Sequence, residues 1–466
     1  MIKRNQLIFS LMLIFLVLQT CQNNKTNKLA PIKVSQKNNH FFAKHNGEPF
    51  FWLGDTGWLL FSKLNRKDAE KYLENRNQKG FNVIQTSIIH NIEYINIYGD
   101  TALVNQNVTK PKITEGINYE DPAAYDFWDH VEFVIDKAAE YEIYMGLIPI
   151  WGSNVDHGYV NKEQAEQYAK FLEKRFGDKP NIFWINGGDT RGNESTEIWN
   201  IIGNTLGKED PHHLITFHPF GRHQSSMWFH KKPWLDFNMF QSGHRRYDQD
   251  DTKLAYGPSN WKYVNTSYNK NPIKPVIDGE PSYEEIPEGL HDTSQPYWDA
   301  DDIRRYAYWS VFAGAAGQTY GHNAVMQFHK PSDAEAAYGA KQYWYEAIND
   351  TGAADMQHMK NLMLSRPYFE RIPDQSLVAG KNGKQYEYIA ATRGKSYAFL
   401  YTYTGRTFKV QMGKIEGKRL KAAWYSPRNG KYQKIGKFQN SGIQELNPPG
   451  KHKNGNDWVL VLDSLQ

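Results

Sequence analysis

The chain has 466 residues, 40% hydrophobic and 23% charged, with a formal net charge of +4. That length exceeds one small core and calls for two domains or a large barrel with an appendage, and the composition excludes wholesale disorder. So weak a charge, with no long Lys/Arg run interleaved with aromatics, argues against a nucleic-acid partner.

Residues 1–21 read as an export signal. Lys3 and Arg4 form a positive start, Leu7 to Leu18 an apolar stretch too short to span a bilayer comfortably, and Cys21 is the one cysteine in the chain. A sole thiol just past such a stretch resembles the lipidated cysteine of a bacterial lipoprotein. The expected location is therefore membrane-anchored, facing the periplasm or the cell surface, with membrane contact only through the lipid. Gln19 and Thr20 stand where small residues are usual, so simple signal cleavage and an uncleaved anchor remain alternatives. Residues 22–31 form a polar tether. A mature chain with one thiol has no internal disulfide, so packing alone must hold it.

From residue 32 apolar runs alternate with helical patterns, the signature of parallel α/β architecture. Phe50 to Gly54 reads as a first strand, ending at Asp55 and Trp58. A helix follows over Arg66 to Lys79, with Ala69, Tyr72 and Leu73 on one face and Gly80 as its stop. Phe81 to Ile89 is the second strand. The polar loop from His90 to Asp121 is too long for a plain connection and is expected to line a site. A helix over Tyr125 to Tyr141, a strand over Ile143 to Trp151 and a helix over Lys162 to Phe176 come next. Strand four is Asn181-Ile-Phe-Trp-Ile-Asn-Gly-Gly-Asp189, with a helix after it from Ser195 to Leu206. Strands five to eight fall at His213–His218, Phe237–Gly243, Lys274–Glu280 and Gly317–His322, with a helix from Ala300 to Ala313 before the last. Eight strands make a (β/α)8 TIM barrel over residues 32–374 the economical reading. Beyond Pro373 a two-residue alternation takes over, with strands expected near Tyr386–Ala391, Ser396–Thr402, Thr407–Met412, Leu420–Trp424 and Trp458–Leu462. Residues 375–466 are thus read as a small antiparallel β-sandwich domain.

Strands four and seven each run into a carboxylate, Asp189 and Glu280. Residues past the C-terminal ends of barrel strands form the pocket, so two such acids can face one glycosidic bond. One protonates the leaving oxygen while the other attacks or activates water. Asp55, Trp58, His90, Trp151, Asn186, His218, Gln241, His244 and His322 occupy comparable positions and are candidate substrate contacts. The 14 Trp and 29 Tyr suit sugar faces as well as cores. Each acid also has a plain structural reading. Asp189 suits a helix cap or an Asx turn, and Glu280 an ion pair with Arg304 or Arg305. The sequence holds no zinc-ligand spacing, Gly-x-Ser-x-Gly elbow or phosphate-cradling glycine loop, so no metal or other cofactor is expected. The expected partner is an oligosaccharide or polysaccharide.

An acid on strand four and a glutamate on strand seven resemble the clan A retaining glycoside hydrolases. Trp52-Leu-Gly-Asp-Thr-Gly-Trp58, Asn186-Gly-Gly-Asp189, Asp278-Gly-Glu-Pro281 and Phe312 to His322 resemble, more narrowly, the apiosidase-like glycoside hydrolases of family 140. The C-terminal stretch resembles the collagen-binding-like β domain that accompanies them. The resemblance implies hydrolysis of a β-linked sugar, apiose in pectic side chains above all, with Asp189 as acid/base and Glu280 as nucleophile. Most of the clan has Asn-Glu on strand four where this chain has Asn-Gly-Gly-Asp, which displaces Asn186 by two residues. An endoglucanase-like hydrolase and a non-catalytic carbohydrate-binding lipoprotein are the alternative readings.

Overall fold

The structure, a computed structural model, describes residues 29–250 and 255–465. The signal segment and Cys21 lie outside the described residues. Eight parallel strands form a nearly closed barrel: β1 (Trp52–Thr56), β2 (Val83–Ile89), β3 (Tyr144–Ile150), β4 (Ile182–Thr190), β5 (Ile215–Pro219), β6 (Asn238–Phe240), β7 (Val276–Asp278) and β8 (Gly317–Tyr320). They pair in the order β5-β4-β3-β2-β1-β8-β7-β6. The β5–β6 seam is closed outside any ladder. There the Asp236 amide donates to the Ile215 carbonyl at 2.8 Å, its carboxylate accepts the Ile215 amide at 2.7 Å, and the Thr216 hydroxyl donates to the Phe237 carbonyl at 2.7 Å.

The helices lie outside this ring. The longer ones are α1 (Arg66–Gln78), α2 (Phe127–Glu140), α3 (Lys162–Phe176), α4 (Thr196–Glu209), α5 (Trp261–Tyr268), α6 (Ala300–Phe312) and α7 (Thr351–Leu364). Their starts are chemically marked: Asp126, Asn161 and Asp299 each make a reciprocal capping box. Val131, Val134, Ile135 and Ala138 of α2 are fully buried, as the helical spacing requires. A small three-stranded sheet (Lys33–Val34, Phe42–Ala43, Pro49–Phe50) brings aromatic rings to the N-terminal ends of the strands. There Phe42 packs edge-on to Phe237 at 5.2 Å, and Trp52 meets Phe183 at 5.0 Å. Such a ring cluster fills the floor of the barrel, which leaves the opposite mouth for a pocket.

The C-terminal part is antiparallel: one six-stranded sheet and one two-stranded sheet (Phe408–Gln411 with Ile443–Leu446). Their inner faces share a core that includes Leu400, Val410, Trp424 and Leu460. Three of these strands, Ile372–Pro373, Tyr432–Gln439 and Ile443–Leu446, are not among those expected from the pattern. Tyr432–Gln439 is mostly exposed and rich in Lys and Gln, so it shows no apolar alternation. Strands β6 and β7 are only three residues long, shorter than the apolar runs that contain them. At β1 the error is the opposite one: the strand continues to Thr56 and takes Asp55 into its interior.

Candidate active site

At the end of β4 the chain does something a regular strand cannot. Gly187 pairs with His218 and Thr190 with Pro219, so two residues bulge out between them. Gly187, Gly188 and Asp189 all have positive φ, at 89°, 105° and 52°. Glycine adopts that region freely; Asp189 does so at a cost, the kind of local strain that collects at functional sites. A Cβ at Gly188 would lie 2.9 Å from the Trp151 ring, so the backbone also rests on that indole. The bulge turns Asp189 into the barrel mouth, where it is exposed to the pocket.

Glu280 follows β7 two residues past its last paired position. The turn is held from inside the barrel: the Gly279 amide donates to the Phe240 carbonyl at 2.8 Å, and the Gln85 side chain donates to the Gly279 carbonyl at 2.8 Å. A Cβ at Gly279 would meet Met239 Sδ at 2.5 Å, so this position tolerates only glycine without displacement. The Glu280 carboxylate is buried between two imidazoles, with Nε2 of His218 and Nε2 of His244 each 3.2 Å away.

His218 touches both acids. Its Nδ1 accepts the Asp189 amide at 3.4 Å, which leaves the ring proton on Nε2, facing Glu280. Burial alone would raise the Glu280 carboxyl; the His218 and His244 contacts outweigh it and hold that group down to about 2. Asp189 moves the other way. Protein crowding around its side chain, then the charge of Glu280, raise it to about 6. The two carboxyls of one pocket are therefore pushed apart, one kept ionised and one kept near neutrality.

The pocket has a volume of about 530 Å³. Trp58, His90 and Trp151 form an aromatic wall, with the two indoles 5.1 Å apart and His90 4.6 Å from Trp151. Gln241 lines the pocket beside Asp189. Tyr283 and Tyr338 also line the pocket, and neither was among the residues expected from the sequence. Tyr283 lies three positions past Glu280, edge-on to His244 at 4.9 Å, and proximity to the second acid was its available signal. Tyr338 comes from a loop far along the chain and carried none.

Five of the nine candidate contacts line the pocket: Trp58, His90, Trp151, Gln241 and His244. His218 instead sits behind the acids, fully buried. Three others face elsewhere. Asp55 shares its strand parity with Leu53 and points out to α1, where it accepts Tyr72 Oη at 2.6 Å and Arg76 Nε at 2.5 Å. Asn186 shares parity with Trp184 and donates to the Trp199 carbonyl of α4 at 2.8 Å. His322 caps a short helix through Nδ1 and meets Asp350 through Nε2 at 2.9 Å. Asp278 stays within the barrel wall, accepting the Ser242 hydroxyl at 2.8 Å and the Asn260 amide at 3.0 Å, and burial raises it to about 7. Arg304 and Arg305 pair with Asp355, Asp457 and Asp302, which removes the ion-pair reading of Glu280.

Asp55→Asn should therefore act on stability rather than binding. It leaves Arg76 buried and uncompensated, at a cost of about 3–5 kcal/mol. Chemical denaturation should show that loss while KM of the folded protein stays unchanged.

Residues 36–370 match the family described as apiosidase-like, catalytic domain, and residues 372–463 match the one described as "Putative collagen-binding domain of a collagenase". A solved glycoside hydrolase is 46% identical, covering 93% of this chain and 97% of its own, with a TM-score of 0.87. A crystal structure described as a glycoside hydrolase family 5 protein from Bacteroides vulgatus ATCC 8482 is 42% identical, covering 93% of each chain, also at 0.87. No curated protein matches the sequence.

Proposed function

Because the chain belongs to the apiosidase-like glycoside hydrolases, and is a glycosidase on that ground, we propose that it cleaves a β-linked sugar with retention, through Asp189 and Glu280. The observation that carries this reading is geometric: Asp189 and Glu280 line one pocket with a single buried imidazole, His218, against both, and their surroundings displace the two carboxyls in opposite directions. Glu280, ionised and flanked by Nε2 of His218 and Nε2 of His244 at 3.2 Å each, attacks the anomeric carbon and forms a glycosyl–enzyme ester. Asp189, still protonated, gives its proton to the departing oxygen. Water then enters, Asp189 takes a proton from it, and the water oxygen bonds to the anomeric carbon as the ester bond to Glu280 breaks, which restores the anomeric configuration. Trp58 and Trp151 offer their faces to the C–H surface of the sugar.

The substrate we propose is an apiose-type linkage in pectic side chains, presented to an exported, lipid-anchored enzyme. Support for the sugar comes from the family; support for the anchor comes from the Cys21 motif. Incubating the protein with pectic side-chain oligosaccharides and following products by mass spectrometry tests the substrate. Proton NMR of the first-formed anomer tests the stereochemistry, and an inverted product would end the two-step reading.

The pH dependence follows from the two displacements. The general acid must be protonated, so kcat/KM should fall as pH rises through about 6, where Asp189 ionises. The nucleophile must be ionised, so the acid limb should lie far lower, toward the depressed Glu280 value. A pH–rate profile with its basic limb well above pH 8 would contradict the assignment of Asp189.

A further inference from the structure

His244, which holds one oxygen of Glu280, is itself anchored from behind. Its backbone carbonyl accepts two donors: the Gly289 amide at 2.7 Å and the indole N–H of Trp298 at 3.1 Å. Trp298 is fully buried. Next to it lies Arg305, also fully buried, whose guanidinium is 5.6 Å from the Trp298 ring, 4.9 Å from Tyr306 and 5.6 Å from Trp309. Two further rings complete this cage, Tyr386 at 4.9 Å and Tyr403 at 4.7 Å, and both belong to the C-terminal domain. Arg305 spends one nitrogen on Asp302, whose Oδ1 also accepts the Tyr403 hydroxyl at 3.0 Å. Its Nε and Nη2 have no hydrogen-bond partner among the described residues, so the ring faces are what offset the burial of that charge.

A second route joins the same places. The loop after β6 carries His244 and then Tyr247, whose ring lies 5.3 Å from Tyr386. Trp261, which opens α5 beyond that loop, stacks on Tyr388 at 4.2 Å and 7°. The His244 loop is thus held between the pocket and the C-terminal domain.

We propose that the C-terminal domain is a working part of the active site: Tyr386 and Tyr403 complete the cage around Arg305, the cage fixes Trp298, and Trp298 sets His244 against Glu280. Trp298 is a positioning residue, since it reaches the reaction only through His244. The proposal rests on the reading of Glu280 as the nucleophile. It assigns the domain a role inside the barrel's chemistry, separate from any ligand its outer surface binds.

The test uses the full-length protein with carboxyl-13C glutamate, the Glu280 signal being assigned by its loss in Glu280→Gln. In Trp298→Phe the ring volume is largely kept and the donor is lost. The Glu280 signal should then titrate at a visibly higher pH, and kcat should fall roughly tenfold, as for other residues that orient a functional group, with KM little changed. Tyr386→Leu, across the domain boundary, should move both readouts in the same direction. Tyr432→Ala, on the exposed face of the C-terminal domain, should move neither. Where Trp298→Phe does not accumulate folded, Arg305→Lys serves, because it keeps the charge and removes the planar guanidinium from between the rings. An unchanged Glu280 titration in the folded variants overturns the proposal. Full activity in Glu280→Gln instead overturns the reading beneath it, while the titration still reports whether the cage acts on this carboxyl.

Discussion

Glu280→Ala should lower kcat by roughly 10⁵-fold, about 7 kcal/mol of barrier at 1.36 kcal/mol per decade. Two losses combine in that number. No carboxylate remains to form the covalent intermediate, and the oxocarbenium-like charge loses its closest counter-ion. The cavity left by the side chain admits a small anion, lined as it is by the imidazoles of His218 and His244. Added azide should therefore restore turnover with an activated substrate. The azide nitrogen bonds to the anomeric carbon from the side Glu280 occupied as the leaving-group bond breaks, and the product is a glycosyl azide of inverted configuration. Recovery of a retained azide would show that Glu280 is not the nucleophile. Near-normal activity of the variant would remove it from the chemistry altogether.

Asp189→Ala should give a different signature from a smaller loss, roughly 10²–10⁴-fold on a natural glycoside, the range for general acid–base catalysis. The loss should depend on the leaving group. A sugar alkoxide needs a proton as it departs, whereas an activated phenolate leaves unaided, so the first step with an aryl glycoside should be nearly unaffected. The intermediate on Glu280 then accumulates, because water lacks its base. Azide needs no base; it should accelerate breakdown and give a glycosyl azide of retained configuration. The variant should also lose the basic limb of the pH profile, since the group that ionises near pH 6 is gone. Equal losses on natural and activated substrates, without azide acceleration, would mean that Asp189 supports the fold at the bulge and not the proton transfer. The positive φ of Asp189 makes that outcome a real competitor, and the azide experiment separates the two.

The two variants also separate the displaced carboxyls electrostatically. Part of what raises Asp189 is the negative charge of Glu280. In Glu280→Gln the Asp189 carboxyl should titrate lower. In the proposed retaining sequence the two charges then cycle, because Glu280 would be neutralised as an ester in the intermediate. Asp189 then acidifies and becomes the base that the second step needs.

How much of this was legible before the structure depends on what each residue's neighbours are. Asp189 and Glu280 stood out because each follows an apolar run at a glycine, a local signal. Trp58, Trp151, His90, Gln241 and His244 followed from the same rule about strand ends. Asp55 and Asn186 failed for a reason that was also local: each shares parity with an outward residue of its own strand, Leu53 or Trp184, so a stricter use of the two-residue period would have turned both toward the helices. His322 failed because a histidine just past a strand is equally suited to capping the helix that begins there. Nothing local marked Tyr338, which meets the pocket only because a distant loop folds over it.

The sequence by itself determined the order of the barrel elements, the barrel class and the position of Asp189 and Glu280 just at or past strand ends, since those rest on periodicity, glycine placement and residue type, all properties of short stretches. Tertiary structure decided the rest. That His218 bridges both acids, that Arg76 claims Asp55, and that two tyrosines from the C-terminal domain cage Arg305 are consequences of contacts between residues tens of positions apart. Such contacts set direction and charge environment, and a side chain's chemistry is fixed by what surrounds it once the chain has closed.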